Sequence, residues 1–158
     1  MNKRLLLRTA AAVVVADQLS KLLVVHVLDL KTVGSIAVLP PYLNFHMAWN
    51  RGVNFGLLAS ANASSRWVLV AVAVAISVWV IHWMRDGRAG TAPLISAGLL
   101  VGGAAGNVID RLIYGAVADF LNMSCCGIDN PFAFNLADIA IFAGALGLIL
   151  FTDRKKAA

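Results

Sequence analysis

Apolar residues gather in four long blocks along this chain, separated by polar punctuation. The blocks cover residues 5–28, 66–84, 92–114 and 134–152. A helix of about 20 apolar residues crosses a bilayer, and each block is of that order. None shows the alternation of a strand, and only helices or closed barrels satisfy their backbone groups in lipid. The pattern predicts four transmembrane helices. Two longer segments separate them, residues 29–65 and 115–133. In the first, Pro40-Pro41 precedes Tyr42-Leu43-Asn44-Phe45-His46-Met47-Ala48-Trp49, which alternates weakly, so a small β-structure is expected there. The start, Met1-Asn2-Lys3-Arg4 followed by apolar residues, has the look of a signal peptide. The run is long, however, carries Asp17 and Lys21 and shows no clear cleavage site, so it reads as a retained helix.

Composition supports the membrane reading. Of 158 residues, 60% are hydrophobic, against about 45–50% apolar in soluble domains. Only 13% are charged, and mean hydropathy is +0.81. The length allows one domain, residues 1–158. The net charge of +5 is concentrated near the ends of the apolar blocks, which speaks for topology and against nucleic-acid binding. Lys3, Arg4 and Arg8, then Arg85 and Arg88, then Arg154, Lys155 and Lys156 fall on one side after an even number of crossings. That side is the cytoplasm, with both termini, and segments 29–65 and 115–133 are extracytoplasmic. All eight acidic residues are aspartate. Cys125 and Cys126 are adjacent, so they neither staple the fold nor have metal-ligand spacing.

Of the ionisable residues in the blocks, five need accounting for: Asp17, Lys21, Asp110, Arg111 and Asp138. Each costs about 2.5–3.5 kcal/mol at a helix centre. Given the topology, all fall towards the outer face, and Asp119 follows just beyond the third helix. Independent segments thus bring charge to one level, as a single polar site near the outer surface requires. Asp17 and Lys21 are i, i+4 and can pair. Asn107, Asp110 and Arg111 share a helical face by spacing, and Asn135 and Asp138 are i, i+3. Gly98, Gly102 and Gly106 form a small-residue ladder that lets a helix approach closely, and Ala140, Gly144 and Gly147 give the fourth helix a small surface. Close packing of the third and fourth helices brings Asp119 and Asp138 together. Two carboxylates in a low-dielectric site share a proton: one accepts a proton from water while the other donates to a carbonyl oxygen. That chemistry needs no metal or cofactor. By position alone other readings stay open. Asp138 pairs equally well with Arg111, Asp119 serves as a cap or solvated loop acid, and Arg111 snorkels. A small proton- or ion-coupled transporter also gathers such charges, and a non-catalytic assembly protein uses such glycines. The lone His26, His46 and His82 and the tryptophans Trp67, Trp79 and Trp83 read as interface or lipid-facing residues.

Five blocks together resemble the lipoprotein signal peptidases (signal peptidase II, prolipoprotein signal peptidase). They are Asp17-Gln18-Leu19-Ser20-Lys21; Asn50-Arg51-Gly52-Val53-Asn54-Phe55-Gly56; Gly102-Gly103-Ala104-Ala105-Gly106-Asn107-Val108-Ile109-Asp110-Arg111; Val117-Ala118-Asp119-Phe120; and Phe134-Asn135-Leu136-Ala137-Asp138. The resemblance spans nearly the whole chain. It implies a four-helix membrane fold with a small extracytoplasmic β-sheet and a short helix over the site. It implies an aspartic endopeptidase of the bacterial plasma membrane that cleaves prolipoproteins just before a diacylglyceryl-modified cysteine. By motif position Asp119 and Asp138 are the catalytic dyad. Asn50, Asn107, Arg111 and Asn135 line the pocket and hold substrate backbone. Asp17 and Lys21 form a supporting pair, and Asp110 is a structural partner beside Arg111. The expected partners are the prolipoprotein substrate and membrane lipid, with the enzyme acting as a monomer. Asn54 departs from a position that is often small in the family.

Overall fold

The computed structural model describes residues 3–52, 63–86, 90–125 and 130–152. Helix α1, Lys3–Lys21, runs on without a break into a π-helical turn, Leu22–Val27. A short helix α2, Leu30–Val33, leads to strands β1, Ser35–Leu39, and β2, Leu43–Asn50. Helix α3 is Ala63–Trp83 and α4 is Thr91–Tyr114; strand β3, Val117–Asn122, and helix α5, Leu136–Thr152, follow. The chain is mainly helical, with one small sheet in the order β1-β2-β3, antiparallel throughout.

Among the described residues, three helices are apolar and long enough to cross a membrane: Arg4–Val27, Ser65–Trp83 and Thr91–Tyr114. Helix α5 is equally apolar but has 17 residues. It starts later than the hydrophobic block, because Phe134 is engaged in a β-bridge to Leu121 and Asn135 caps the helix from outside it. The β-structure expected around residues 42–49 is present as β2. Its partner β3 escaped the sequence reading, since Val117-Ala118-Asp119-Phe120-Leu121-Asn122 does not alternate. All but Leu121 of these residues are buried, so the strand is covered on both faces. Arg88, Asn54, Phe55, Cys126 and the basic end Arg154, Lys155 and Lys156 lie outside the described residues.

Glycines set how closely the helices pack. A Cβ on Gly102 would sit 2.6 Å from Ala10 O, and one on Gly98 2.7 Å from Leu6 O, so this ladder receives α1. Gly103 meets Ala137 and Ile141, and a Cβ on Gly144 would lie 2.5 Å from Leu100 N, so those positions join α4 to α5. Helix α3 presents Trp67, Val72, Val78 and Trp79 outward, as lipid-facing side chains are, and buries Val80 against the other helices. Two apolar cores result. One, of Leu6, Val80, Met84, Leu94, Ala97, Leu100 and Leu148, lies within the helices. The other, of Val24, Val25, Leu30, Ala118 and Phe120, seats the sheet on the end of α1, with Phe45 edge-to-face on Phe120 at 5.8 Å.

Candidate active site

Four local structures converge on one polar cluster. Helix α4 ends at Gly115, whose φ of 76° lets the chain turn and whose N–H donates to Arg111 O at 3.1 Å. Strand β3 begins two residues later, which places Asp119 on the sheet beside the end of the helix. In the register, Asn50 pairs with Val117 and Ala48 with Asp119, so Asn50 lies diagonally from Asp119 on the same face. Asn50 Nδ2 donates to Asp119 Oδ2 at 3.0 Å. Beyond β3 the chain is drawn back by Asn122, whose Nδ2 donates to the carbonyls of Asn130 at 2.6 Å and Phe132 at 3.0 Å. That return delivers Asn135 and the first turn of α5.

Asn135 and Asp138 form a reciprocal capping box. Asp138 N donates to Asn135 Oδ1 at 3.0 Å, and Asn135 N donates to Asp138 Oδ2 at 3.2 Å. The cap satisfies two backbone donors that a helix start leaves without partners, and it fixes the Asp138 carboxylate. Its other oxygen accepts from Asn107 Nδ2 at 2.9 Å. The Asn135 side-chain amide, fully buried, donates to Asp119 Oδ1 at 2.6 Å and to Asn107 Oδ1 at 3.3 Å. Asparagine amides therefore link the two aspartates: Asn50 and Asn135 on Asp119, Asn107 and the Asn135 backbone on Asp138. Asp119 is 2% exposed. Burial, and secondly the charge of Asp138, push its carboxyl up to about 7, against the opposing hydrogen bonds from Asn50 and Asn135. Near neutral pH this carboxyl is both proton donor and proton acceptor.

Asp17, Lys21 and Asp110 come together one layer away. Lys21 Nζ lies 2.8 Å from Asp17 Oδ2 and 2.8 Å from Asp110 Oδ2. Asp110 was expected beside Arg111, but its partner is Lys21. The shared helical face expected for Asn107, Asp110 and Arg111 divides accordingly. Asp110 is buried against α1, four residues along from Gly106 on the ladder that receives α1. Arg111 is one residue, or about 100° of helix, further round. It donates to Gly52 O at 3.1 Å and Asn107 O at 3.4 Å. Among the described residues no ion pair joins it to an aspartate. A cleft of about 300 Å³ between α3 and α4 is lined by apolar side chains such as Leu69, Val72, Ile76 and Leu100, with Asn107 and Arg111 as its polar walls. Gln18 went unremarked as a candidate, although it lies in the Asp17–Lys21 block. Its amide spans Asp17 Oδ2 at 3.1 Å and Asp110 Oδ1 at 3.0 Å. His26, read as lone, bonds Tyr114 Oη at 3.1 Å, a contact between residues 88 apart that spacing cannot reveal.

Two amide-flanked carboxylates, one of them buried and with a proton exchangeable near neutrality, are the equipment of an aspartic-type hydrolase. The comparisons with known proteins point the same way. Residues 9–153 match the family model described as signal peptidase (SPase) II. The chain is 43% identical over 147 residues to the lipoprotein signal peptidase of Methylobacterium sp. (strain 4-46), covering 92% of this chain and 87% of that one. It is 48% identical over 113 residues to that of Methylorubrum extorquens (strain PA1), a match spanning 71% of this chain and 64% of the relative's length. A bacterial membrane enzyme solved in meso at 1.9 Å superposes with a TM-score of 0.76 at 26% identity, over 92% of this chain and 90% of that one. The chain belongs to the signal peptidase II family.

Proposed function

We propose that Asp119 and Asp138 are the catalytic dyad of a membrane aspartic endopeptidase that removes signal peptides from prolipoproteins. Family membership carries the enzyme class and sets the transporter alternative aside. The single observation that carries the assignment of the dyad is the Asn135 amide held between Asp119 and the Asn107–Asp138 pair. It keeps two carboxylates in one site with no ion pair to either among the described residues.

The mechanism follows from these contacts. A water between the carboxyls loses a proton to the ionised aspartate and attacks the scissile carbonyl carbon. The protonated aspartate donates to the carbonyl oxygen, giving a gem-diol. One diol hydroxyl then returns its proton to a carboxylate, the C–N bond breaks, and the amine leaves with the proton first taken from water. Asn50 and Asn107 hold one oxygen of each carboxyl, which leaves the reacting faces oriented. Arg111, anchored on Gly52 O, and Asn107 face the apolar cleft and receive main-chain carbonyls of the substrate there.

The substrate class is a prolipoprotein cut before its diacylglyceryl-modified cysteine, with the acyl chains remaining in lipid. Helix α5 supplies a fourth crossing: it is apolar and spans about 25 Å at 1.5 Å per residue, against a hydrocarbon core of roughly 30 Å. The even number of crossings leaves both termini cytoplasmic and the sheet, with the dyad, at the outer face of the bacterial plasma membrane. The chain works as a single domain and as a monomer. The test is incubation of the purified protein with a diacylglyceryl-modified prolipoprotein, followed by mobility on a gel and mass of the products. Release of the intact signal peptide with a new N-terminal lipidated cysteine supports the reading; an unchanged substrate removes it.

A further inference from the structure

The buried ion cluster beside the dyad has two outward connections that its charges do not require. Asp17 Oδ1 accepts the backbone N–H of Ala137 at 3.1 Å, and Asp110 Oδ2 accepts that of Ala118 at 3.0 Å. Ala137 immediately precedes Asp138, and Ala118 immediately precedes Asp119. Between the two carboxylates stands Lys21, 2.8 Å from each, with a side chain 6% exposed while theirs are 0% exposed. Gln18 Nε2 forms a second, neutral bridge between them. We propose that Lys21 is a positioning residue for peptide cleavage: a crossbar whose two aspartate arms hold the backbone just ahead of Asp119 and of Asp138, and so fix their separation. The proposal rests on the reading of Asp119 and Asp138 as the dyad.

Stability alone is a poor reason for such a cluster. Desolvating buried ions offsets most of their attraction, and apolar replacements are often as stable. One cation between two carboxylates also leaves a net negative charge in the interior. Geometry gives the better reason. The dyad aspartates sit on different elements, β3 and α5, which meet in front at the Leu121–Phe134 bridge and the Asn135 amide, and each element is also tied from behind to the helices. Asp17 on α1 reaches α5, Asp110 on α4 reaches β3, and Lys21 ties α1 to α4 at that level. The Ala137 amide is also one of the first-turn donors that α5 cannot satisfy by itself. Without the crossbar each arm keeps its own amide but loses its distance from the other, and a misplacement of about 1 Å costs on the order of 100-fold in rate.

The experiment measures kcat and KM for cleavage of a diacylglyceryl-modified prolipoprotein by the full-length protein in detergent micelles. Rates are counted per folded molecule by size exclusion and thermal unfolding. Lys21→Met/Asp110→Asn removes one charge of each sign, so the cluster keeps its net charge, and the introduced amide oxygen retains an acceptor for the Ala118 N–H. Its kcat is expected to fall about 100-fold with KM unchanged. Gln18→Met, at a half-buried position that tolerates the change, is expected to lose roughly tenfold in kcat, the worth of one hydrogen bond to a charged group. A purely structural cluster lowers the folded fraction and leaves kcat per folded molecule intact; that result overturns the proposal. If the double variant does not fold, Gln18→Met decides alone, and an unchanged kcat there overturns it too. Native protein that fails to cleave, or Asp119→Asn that still cleaves, removes the dyad reading instead.

Discussion

Two pairs of aspartates lie side by side in this protein, and their surroundings could hardly differ more. Asp17 and Asp110 share a lysine at 2.8 Å on each side. Asp119 and Asp138 are held by asparagine amides and a backbone N–H. Both members of the first pair are tied to one buried cation and to a backbone N–H, so the first pair is a fixed fitting. An amide orients a carboxylate at a smaller cost to its neutral form, so burial and the charge of Asp138 keep a proton within reach on Asp119. On the proposed chemistry, one residue type serves as scaffold in the first pair and as reactant in the second. The partners decide the role, and the asparagines are as much part of the site as the aspartates.

The comparison breaks most completely if the second pair is made unable to titrate. Asp119→Asn and Asp138→Asn are each expected to lower cleavage by at least about 10³-fold, the upper range for general acid–base groups, while the protein still inserts; prolipoprotein turnover in membranes reads this out. Next in size is Asn135→Ala. It removes the amide between the carboxyls together with the side-chain half of the capping box, so activity falls about 100-fold and stability by about 1 kcal/mol, seen as a lower Tm. Asn50→Ala is milder and sharpens the comparison through pH. On the proposed mechanism the native dyad loses its working proton as pH rises through about 7, the value to which Asp119 is raised, so kcat/KM is expected to decline on the alkaline side. The Asn50 hydrogen bond favours the ionised form, so its loss moves that alkaline limb upward, with roughly a tenfold loss of rate.

A smaller effect concerns stability. Because the folded-state pKa of Asp119 lies above its ordinary 3.8, its contribution is fully present below pH 4 and is lost as pH rises to about 7. Tm of the native protein therefore declines across that window, and Asp119→Asn flattens the decline. At the bottom of the scale, Trp79→Ala on the lipid-facing side of α3 is expected to change activity and Tm within error, by about 0.5 kcal/mol or less.

Much of this was legible in the amino-acid pattern because lipid leaves few options. Long apolar blocks had to be helices, and charged residues at one depth had to share a site. The i, i+4 spacing of Asp17 and Lys21 announced their pairing. Contacts carried by the backbone were not legible. Strand β3 is buried on both faces and has no alternation to reveal it. The partner of Asp110 depended on which way the α4 ladder faced, and a sequence of small residues does not say which neighbour it receives. Gln18 stood inside a recognised block, yet its amide acquires meaning only when α1 and α4 meet. The start of α5 moved to Leu136 because tertiary pairing claimed Phe134, which hydropathy counts as one more apolar residue.

The capping box on α5 has a consequence in time as well as in space. Of the described elements, α5 leaves the ribosome last. Until its first turn winds, Asn135 has no helix to cap, Asp138 has no fixed place, and Asp119 waits on its strand with Asn50 alone. Helix winding and completion of the site are the same event. On the proposed chemistry, a chain made only as far as α4 is therefore a membrane protein without a protease, and the danger to peptide bonds arrives with α5.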